Sequence, residues 1–160
     1  MIKTEDQEKV QEALEKIIPL MQQDKPLNPE HSNEDLRALY TLAYTLYQSG
    51  DFEQAAELFE QLANSKPLTP KYWLGLGACA QMQQKYTEAL RAWGMAAILN
   101  GSDPTPHFHA TECYIALKDS VEGMKALRAT KSRLTKAHKT LETKVKQLES
   151  SLEKEVHEGV

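Results

Sequence analysis

Apolar residues return along the chain at three- and four-residue steps, between short polar stretches that hold most of its Pro and Gly. That period belongs to amphipathic helices, and the strict alternation of a half-buried strand is almost absent. The pattern predicts an all-α fold. A longer period lies on top of the helical one. Trp73, Leu76, Gly77, Tyr86, Ala89 and Trp93 have counterparts 34 residues upstream in Leu39, Leu42, Ala43, Phe52, Ala55 and Phe59. The same shift downstream gives His107, Ala110, Thr111, Ser120, Gly123 and Leu127, with no insertion or deletion. Pro70 and Pro104 each open a copy, while Pro67 and Gly101 each close one. Three copies in register (36–69, 70–103 and 104–137) predict a tandem array of helical units.

Both flanks carry helical signals of their own. Thr4 with Gln7 has the spacing of a capping box for a helix over about residues 5–23, whose apolar face is Val10, Leu14, Ile17, Ile18 and Met21. The stretch "DKPLNPEHSNED" then reads as a linker that ends in Ser32, with Asp35 three residues on as a weaker cap for the first copy. Residues 1–35 are thus predicted to be an N-terminal helix and linker. After Leu127 the chain turns rich in Lys and Glu, and Leu127, Leu134, Leu141 and Leu148 recur every seven residues. No Gly or Pro interrupts 124–158, which predicts one long amphipathic helix. Its first part is expected to cap the array and the rest, within the extension 138–160, to project or self-associate.

The middle copy carries Trp, Leu-Gly, an aromatic, Ala and a second aromatic at set intervals, and in this it resembles the tetratricopeptide repeat, a helix–turn–helix unit of 34 residues. The first copy matches well and the third loosely. Gly77 and Ala89 then fall in the two helices of one pair, where small residues are expected to let the backbones approach. The helix cost of a Gly, roughly 1 kcal/mol against Ala, would be offset by packing.

Composition narrows the function. A 160-residue chain with a net charge of −4 and mixed acidic and basic residues is poorly suited to nucleic acid, which needs clustered Lys and Arg. The start "MIKTEDQEKVQ" has no apolar signal core, and no apolar run reaches the length of a membrane span, so a cytoplasmic protein without membrane attachment is expected. Chemistry is nearly absent from the motifs. His107 and His109 stand two apart, on different helix faces, and have no partner at metal-ligand spacing. His107 falls at a packing place of the repeat, which predicts a buried structural histidine. Cys79 and Cys113, one period apart, are expected to be reduced core filler, without the base or electropositive setting of a catalytic thiol. Phosphate-loop, Gly-x-Ser-x-Gly and HExxH motifs are missing. A binding protein with no cofactor or metal is predicted, rather than an enzyme.

In tetratricopeptide repeats the first helices line a concave surface, with their second, fifth, ninth and twelfth positions facing inward. The resemblance places Arg37, Tyr40, Tyr44 and Tyr47 there in the first copy. It places Lys71, Leu74, Ala78 and Gln81 there in the second, and Thr105, Phe108, Glu112 and Ile115 in the third. Tyr40, Tyr44 and Tyr47 share a helix face by their spacing, and Leu39, Leu42 and Leu46 already take the packing positions. Three tyrosines on the other face suit an extended peptide. One class of these repeats clamps the C-terminal carboxylate of heat-shock proteins with Lys and Asn. The corresponding places here hold Tyr40, Tyr44, Gly75, Thr105 and His109, so that clamp is missing.

The size, the N-terminal amphipathic helix, the Pro-bearing linker and the stretches "LRALYTLAYTLYQSGDFEQAAELFEQL" and "YWLGLGACAQMQQKYTEAL" resemble the class II chaperones of type III secretion, of the low-calcium-response protein H kind. The resemblance implies a cytoplasmic chaperone that holds hydrophobic translocator proteins before secretion. It implies a groove for an extended segment with spaced Pro and Leu, lined by Tyr40, Tyr44, Tyr47, Leu74, Ala78 and Phe108. It also implies a homodimer built in part by Val10, Leu14, Ile17 and Met21. The competing expectation is a general repeat scaffold in a multiprotein complex, or a needle-subunit co-chaperone.

Overall fold

The computed structural model describes residues 32–159 and the single position Glu15. Val10, Leu14, Ile17 and Met21 lie outside the described residues. Seven α-helices follow one another, and no strand occurs among the described residues: α1 (Asn33–Ser49), α2 (Phe52–Ser65), α3 (Pro70–Met82), α4 (Tyr86–Leu99), α5 (Thr105–Ala116), α6 (Ser120–Arg133) and α7 (Lys139–Glu158), with a short 3-10 turn at Lys136–His138 before the last. Each helix packs against the next in sequence, and α1 also touches α3 as α5 touches α7. The product is a stack of helical hairpins in chain order.

Local signals set the helix ends. The Ser32 hydroxyl accepts from the Asp35 amide at 3.2 Å and caps α1, whereas α3 starts with Pro70 in its first turn, where a missing N–H costs nothing. Within each hairpin the turn repeats with the sequence period. Gly50, Gln84 and Lys118 are all left-handed, with φ of 88°, 60° and 60°. At each turn the residue after the left-handed one returns its amide to a carbonyl five back: Asp51 to Leu46, Lys85 to Ala80 and Asp119 to Tyr114. Only the first turn uses the residue type that adopts this conformation without strain.

Three hydrophobic clusters run through the stack. The first joins α1, α2 and α3 around Leu39, Phe59 and Leu62; the second centres on Trp93, Ala89 and Cys113; the third holds Phe108, Leu127, Val145 and Leu152. Glycines seat aromatic rings between helices. A Cβ at Gly77 would stand 2.8 Å from the Trp93 indole, and one at Gly75 would run into the ring of Phe59. Gly77 therefore makes room for a ring, which differs from the backbone approach expected from the repeat pattern. Gly123 faces Leu152 of α7 and Tyr114, at ordinary contact distance.

The C-terminal region departs from the single long helix predicted over 124–158. α6 stops at Arg133, Leu134 is extended (φ −68°, ψ 137°), and Thr135 caps the following turn. The Thr135 hydroxyl accepts from the Ala137 amide while His138 Nδ1 accepts from the Thr135 amide, a capping box that needs neither Gly nor Pro. α7 then folds back over α5 and α6, burying Val145 and Leu152. Nor does the rest of the extension project freely, because Leu152 is fully buried and Glu155 pairs with Lys118 at 3.6 Å. α7 continues the 34-residue register: Leu141 follows Leu39, Trp73 and His107, and buried Val145 follows the buried Ala43, Gly77 and Thr111. The helix occupies the place that the first helix of a fourth repeat would take. Its leucines close an intramolecular core.

Candidate peptide-binding groove

The inner face is built from α1, α3 and α5. On α1, Tyr44 is 49% exposed and stacks on Tyr40, with ring centroids 6.4 Å apart. Tyr40 reaches down to the Phe59 ring and across to Tyr72 of α3, each at 5.9 Å, and Lys71 Nζ sits 4.6 Å above it. Tyr47 leans edge-on against Phe52 at 5.4 Å. The three predicted tyrosines thus share one face. Tyr40 is half-buried between two repeats, Tyr47 is half-buried against α2, and Tyr44 is open to solvent. Burial first, and then the neighbouring Tyr44 phenol, push the Tyr40 phenol above its ordinary value. Tyr47 is raised by burial, Cys79, Tyr44 and the Glu112 carboxylate. Tyr40 and Tyr47 therefore stay protonated near neutrality and can donate as well as accept hydrogen bonds.

Leu74 and Ala78 of α3 are half-buried beside Trp93. Phe108 differs from its expected place in the groove. It is 4% exposed and packs into the cluster with Leu127, Val145 and Leu152, because α7 covers the part of α5 that the three-repeat pattern leaves open. It holds the capping helix and is withdrawn from the peptide-binding set.

Between the second and third repeats lies a polar network that the sequence did not pair. Trp93 Nε1–H donates to Gln81 Oε1 at 3.1 Å, and Gln81 Nε2–H donates to Glu112 Oε2 at 2.6 Å. His109 Nδ1 lies 3.0 Å from the same carboxylate oxygen and its ring stacks on Trp93, with centroids 4.6 Å apart. An ionised carboxylate can only accept, so Nδ1 is the protonated nitrogen. Burial raises the Glu112 pKa, but the His109 hydrogen bond and charge, the Gln81 amide and Lys144 outweigh it, and the carboxyl ends below its usual range. Gln81 and Glu112 each occupy an inward position of the repeat; the missing signal was their offset of 31 residues, which brings the end of one first helix beside the middle of the next.

Other candidates fall to packing. Cys79 and Cys113 are buried free thiols, and burial pushes both up to about 12, far from a reactive thiolate. His107 is half-buried, and its Nε2 has no hydrogen-bond partner among the described residues. Burial and then Arg133 lower its pKa against an opposing Asp103. Among the described residues no group of three His, Cys, Asp or Glu side chains could hold a metal, and no described helix is long and apolar enough to cross a membrane.

Comparison with known proteins agrees with this geometry. A family model for the tetratricopeptide repeat matches residues 40–105. The low calcium response locus protein H of Yersinia pestis is 35% identical over 98 residues, which is 61% of this chain. The matched stretch spans 58% of that relative's length. Among solved structures, the type III secretion chaperone SycD of Yersinia enterocolitica, in complex with a peptide of the translocator YopD, superposes with a TM-score of 0.74. It is 29% identical, and the match covers 78% of this chain and 96% of SycD. PcrH, known from Pseudomonas aeruginosa, in complex with the chaperone binding region of PopD, gives 0.74 at 27% identity over 82% of this chain and 98% of PcrH. The chain thus carries tetratricopeptide repeats within residues 40–105, and in sequence and fold it is similar to the low calcium response locus protein H and to the type III secretion chaperones SycD and PcrH.

Proposed function

We propose that this chain is a cytoplasmic chaperone of a type III secretion system, which holds a hydrophobic translocator before secretion by gripping an extended segment in the groove of α1, α3 and α5. The observation that carries this reading is the exposed tyrosine face of α1 on a scaffold that matches SycD and PcrH over nearly their whole length, both solved with translocator segments bound. Tyr40, Tyr44 and Tyr47 offer ring faces to apolar cargo and hydroxyls to its backbone. Leu74 and small Ala78 form a floor into which a Leu or Pro side chain descends. A Pro-containing segment is partly fixed in an extended form beforehand, so it loses less entropy on binding. Nothing in the groove calls for catalysis.

Replacing Tyr44 and Tyr47 together by Ala should weaken binding of the chaperone binding region of PopD by at least ~2 kcal/mol, the scale of an interface hot spot. Calorimetric titration of both proteins, beside their melting curves, checks this. Unchanged affinity would exclude the tyrosine face. A collapsed melting temperature would show that the pair serves folding, which the openness of Tyr44 argues against.

The apolar face of Val10, Leu14, Ile17 and Met21 is proposed to build a homodimer, a reading supported by the crystallisation of SycD as an alternative dimer. Deleting residues 1–22 should yield a monomer whose repeats stay folded. Light scattering that finds one mass before and after the deletion would move the interface elsewhere.

A further inference from the structure

We infer that Glu112 is the charge-reading residue of the groove, and that it accepts the cationic side chain of a Lys or Arg in the cargo. The inference rests on the groove reading above and adds a chemical requirement on what the groove takes. The carboxylate is held from one side only. Gln81 Nε2–H and His109 Nδ1 both meet Oε2, at 2.6 and 3.0 Å, and no hydrogen bond reaches Oε1 among the described residues. Those two donors come from different helices, and Gln81 is itself fixed by the buried Trp93 indole. The oxygen position is therefore set before any cargo arrives, as a recognition group should be.

Glu112 also stands where cargo must pass. It is an inward residue of α5, its side chain is 32% exposed, and its bond to Gln81 ties it to α3, which touches α1. An extended segment lying across Tyr47 and Ala78 would cover this partly exposed carboxylate, and a partly dry carboxylate with an unserved oxygen is costly. A backbone N–H would repay part of the cost; a cation supplies both a donor and the opposite charge. The facing charged groups are few. His109 is committed to Oε2, and Lys144 of α7 lies close enough to stabilise the carboxylate without an ion pair within 4 Å. Lys144 is thus a competitor for the site, and its removal should sharpen the response to cargo charge.

The experiment uses the full chain and the chaperone binding region of PopD as the parent peptide, with Lys or norleucine placed at each position in turn. Norleucine keeps the stem and lacks the ammonium. Calorimetric titration should find a position where Lys binds about tenfold tighter than norleucine, the scale of one charge-assisted hydrogen bond. The ratio should fall to near unity in Glu112→Gln and widen in Lys144→Gln. Reading the ratio cancels any general weakening that a variant causes. A wild-type chain without a Lys-preferring position overturns the inference and leaves the groove reading standing, as does a preference that persists unchanged in Glu112→Gln. Failure of every peptide to bind would overturn the groove reading, and this inference with it.

Discussion

A chain that ends at His138 should lose the cooperative folding of its third repeat. α7 supplies Val145 and Leu152, both buried, with Leu141 and Leu148 partly buried beside them. Removing it exposes Phe108 and Leu127, which are 4% and 1% exposed in the full chain. Each fully buried aliphatic side chain is worth about 1.5–3 kcal/mol, so the loss is on the order of 5 kcal/mol. Stability of a domain is only about 5–15 kcal/mol, so a loss of that size unfolds the nearest hairpin outright. Solenoids unravel from an uncapped end, and α5 and α6 should go first. Circular dichroism should show a helix loss larger than the deleted residues account for, and proteolysis should cut within 105–133. A milder change, Leu152→Ala, should cost about 2–3 kcal/mol, at the lower end for buried leucines because a terminal helix can shift to close part of the void. A truncated chain with native helicity per residue and an unchanged melting temperature would mean that α7 does not cap the stack.

Gly75→Ala and Gly94→Ala should change stability in opposite directions. Both glycines lie inside helices, where Ala is favoured by roughly 1 kcal/mol. At Gly94 an added Cβ meets nothing within 4 Å, so the propensity gain stands alone and the melting temperature should rise. At Gly75 the same methyl group would enter the ring of Phe59, which is 1% exposed and packed in the first cluster. Overpacking of this kind costs about 1–3 kcal/mol, enough to outweigh the propensity gain. Gly77→Ala should behave like Gly75→Ala, since the Trp93 indole is wedged against it and tied to Gln81. Thermal unfolding of the three variants reads the signs directly. A stabilising Gly75→Ala would mean that the ring does not lie between α2 and α3.

Much of this fold was legible because repetition multiplies a weak signal. One Leu-Gly pair says little, but Trp73, Gly77 and Trp93 with their partners 34 residues away on both sides define helix pairs and their order. The same period places Gly50, Gln84 and Lys118 at equivalent turns, although only the first has the residue type that a turn search would find. The break at Leu134–Thr135 was hidden for a physical reason. A heptad of leucines fits one continuous helix and also a helix folded back on its neighbour, because in both cases they make one apolar stripe. The distinguishing signs were the Thr135–His138 capping spacing and the continuation of the 34-residue register into Leu141 and Val145. Phe108 was misplaced by the same gap, since its exposure depends on whether a fourth first helix follows. Tyr40, Tyr44 and Tyr47 were readable as a face from local spacing. The chain from Trp93 through Gln81 to Glu112 depends on how adjacent repeats are set against each other, and that setting is made by packing.

The inner groove has a competitor on the other side of α3, where Trp73, Leu76 and Met95 line a hollow of about 340 Å³ rimmed by Glu88 and Arg91. Site-specific photo-crosslinking separates the two surfaces. With a benzoylphenylalanine placed at Tyr44 or at Ala78, illumination beside the chaperone binding region of PopD should join peptide to chain, and unlabelled peptide should compete the product away. The same group at Glu88 should give no product. Crosslinking at Glu88 with none at Tyr44 or Ala78 would contradict the account, because the cargo would then lie on the outer face of the stack.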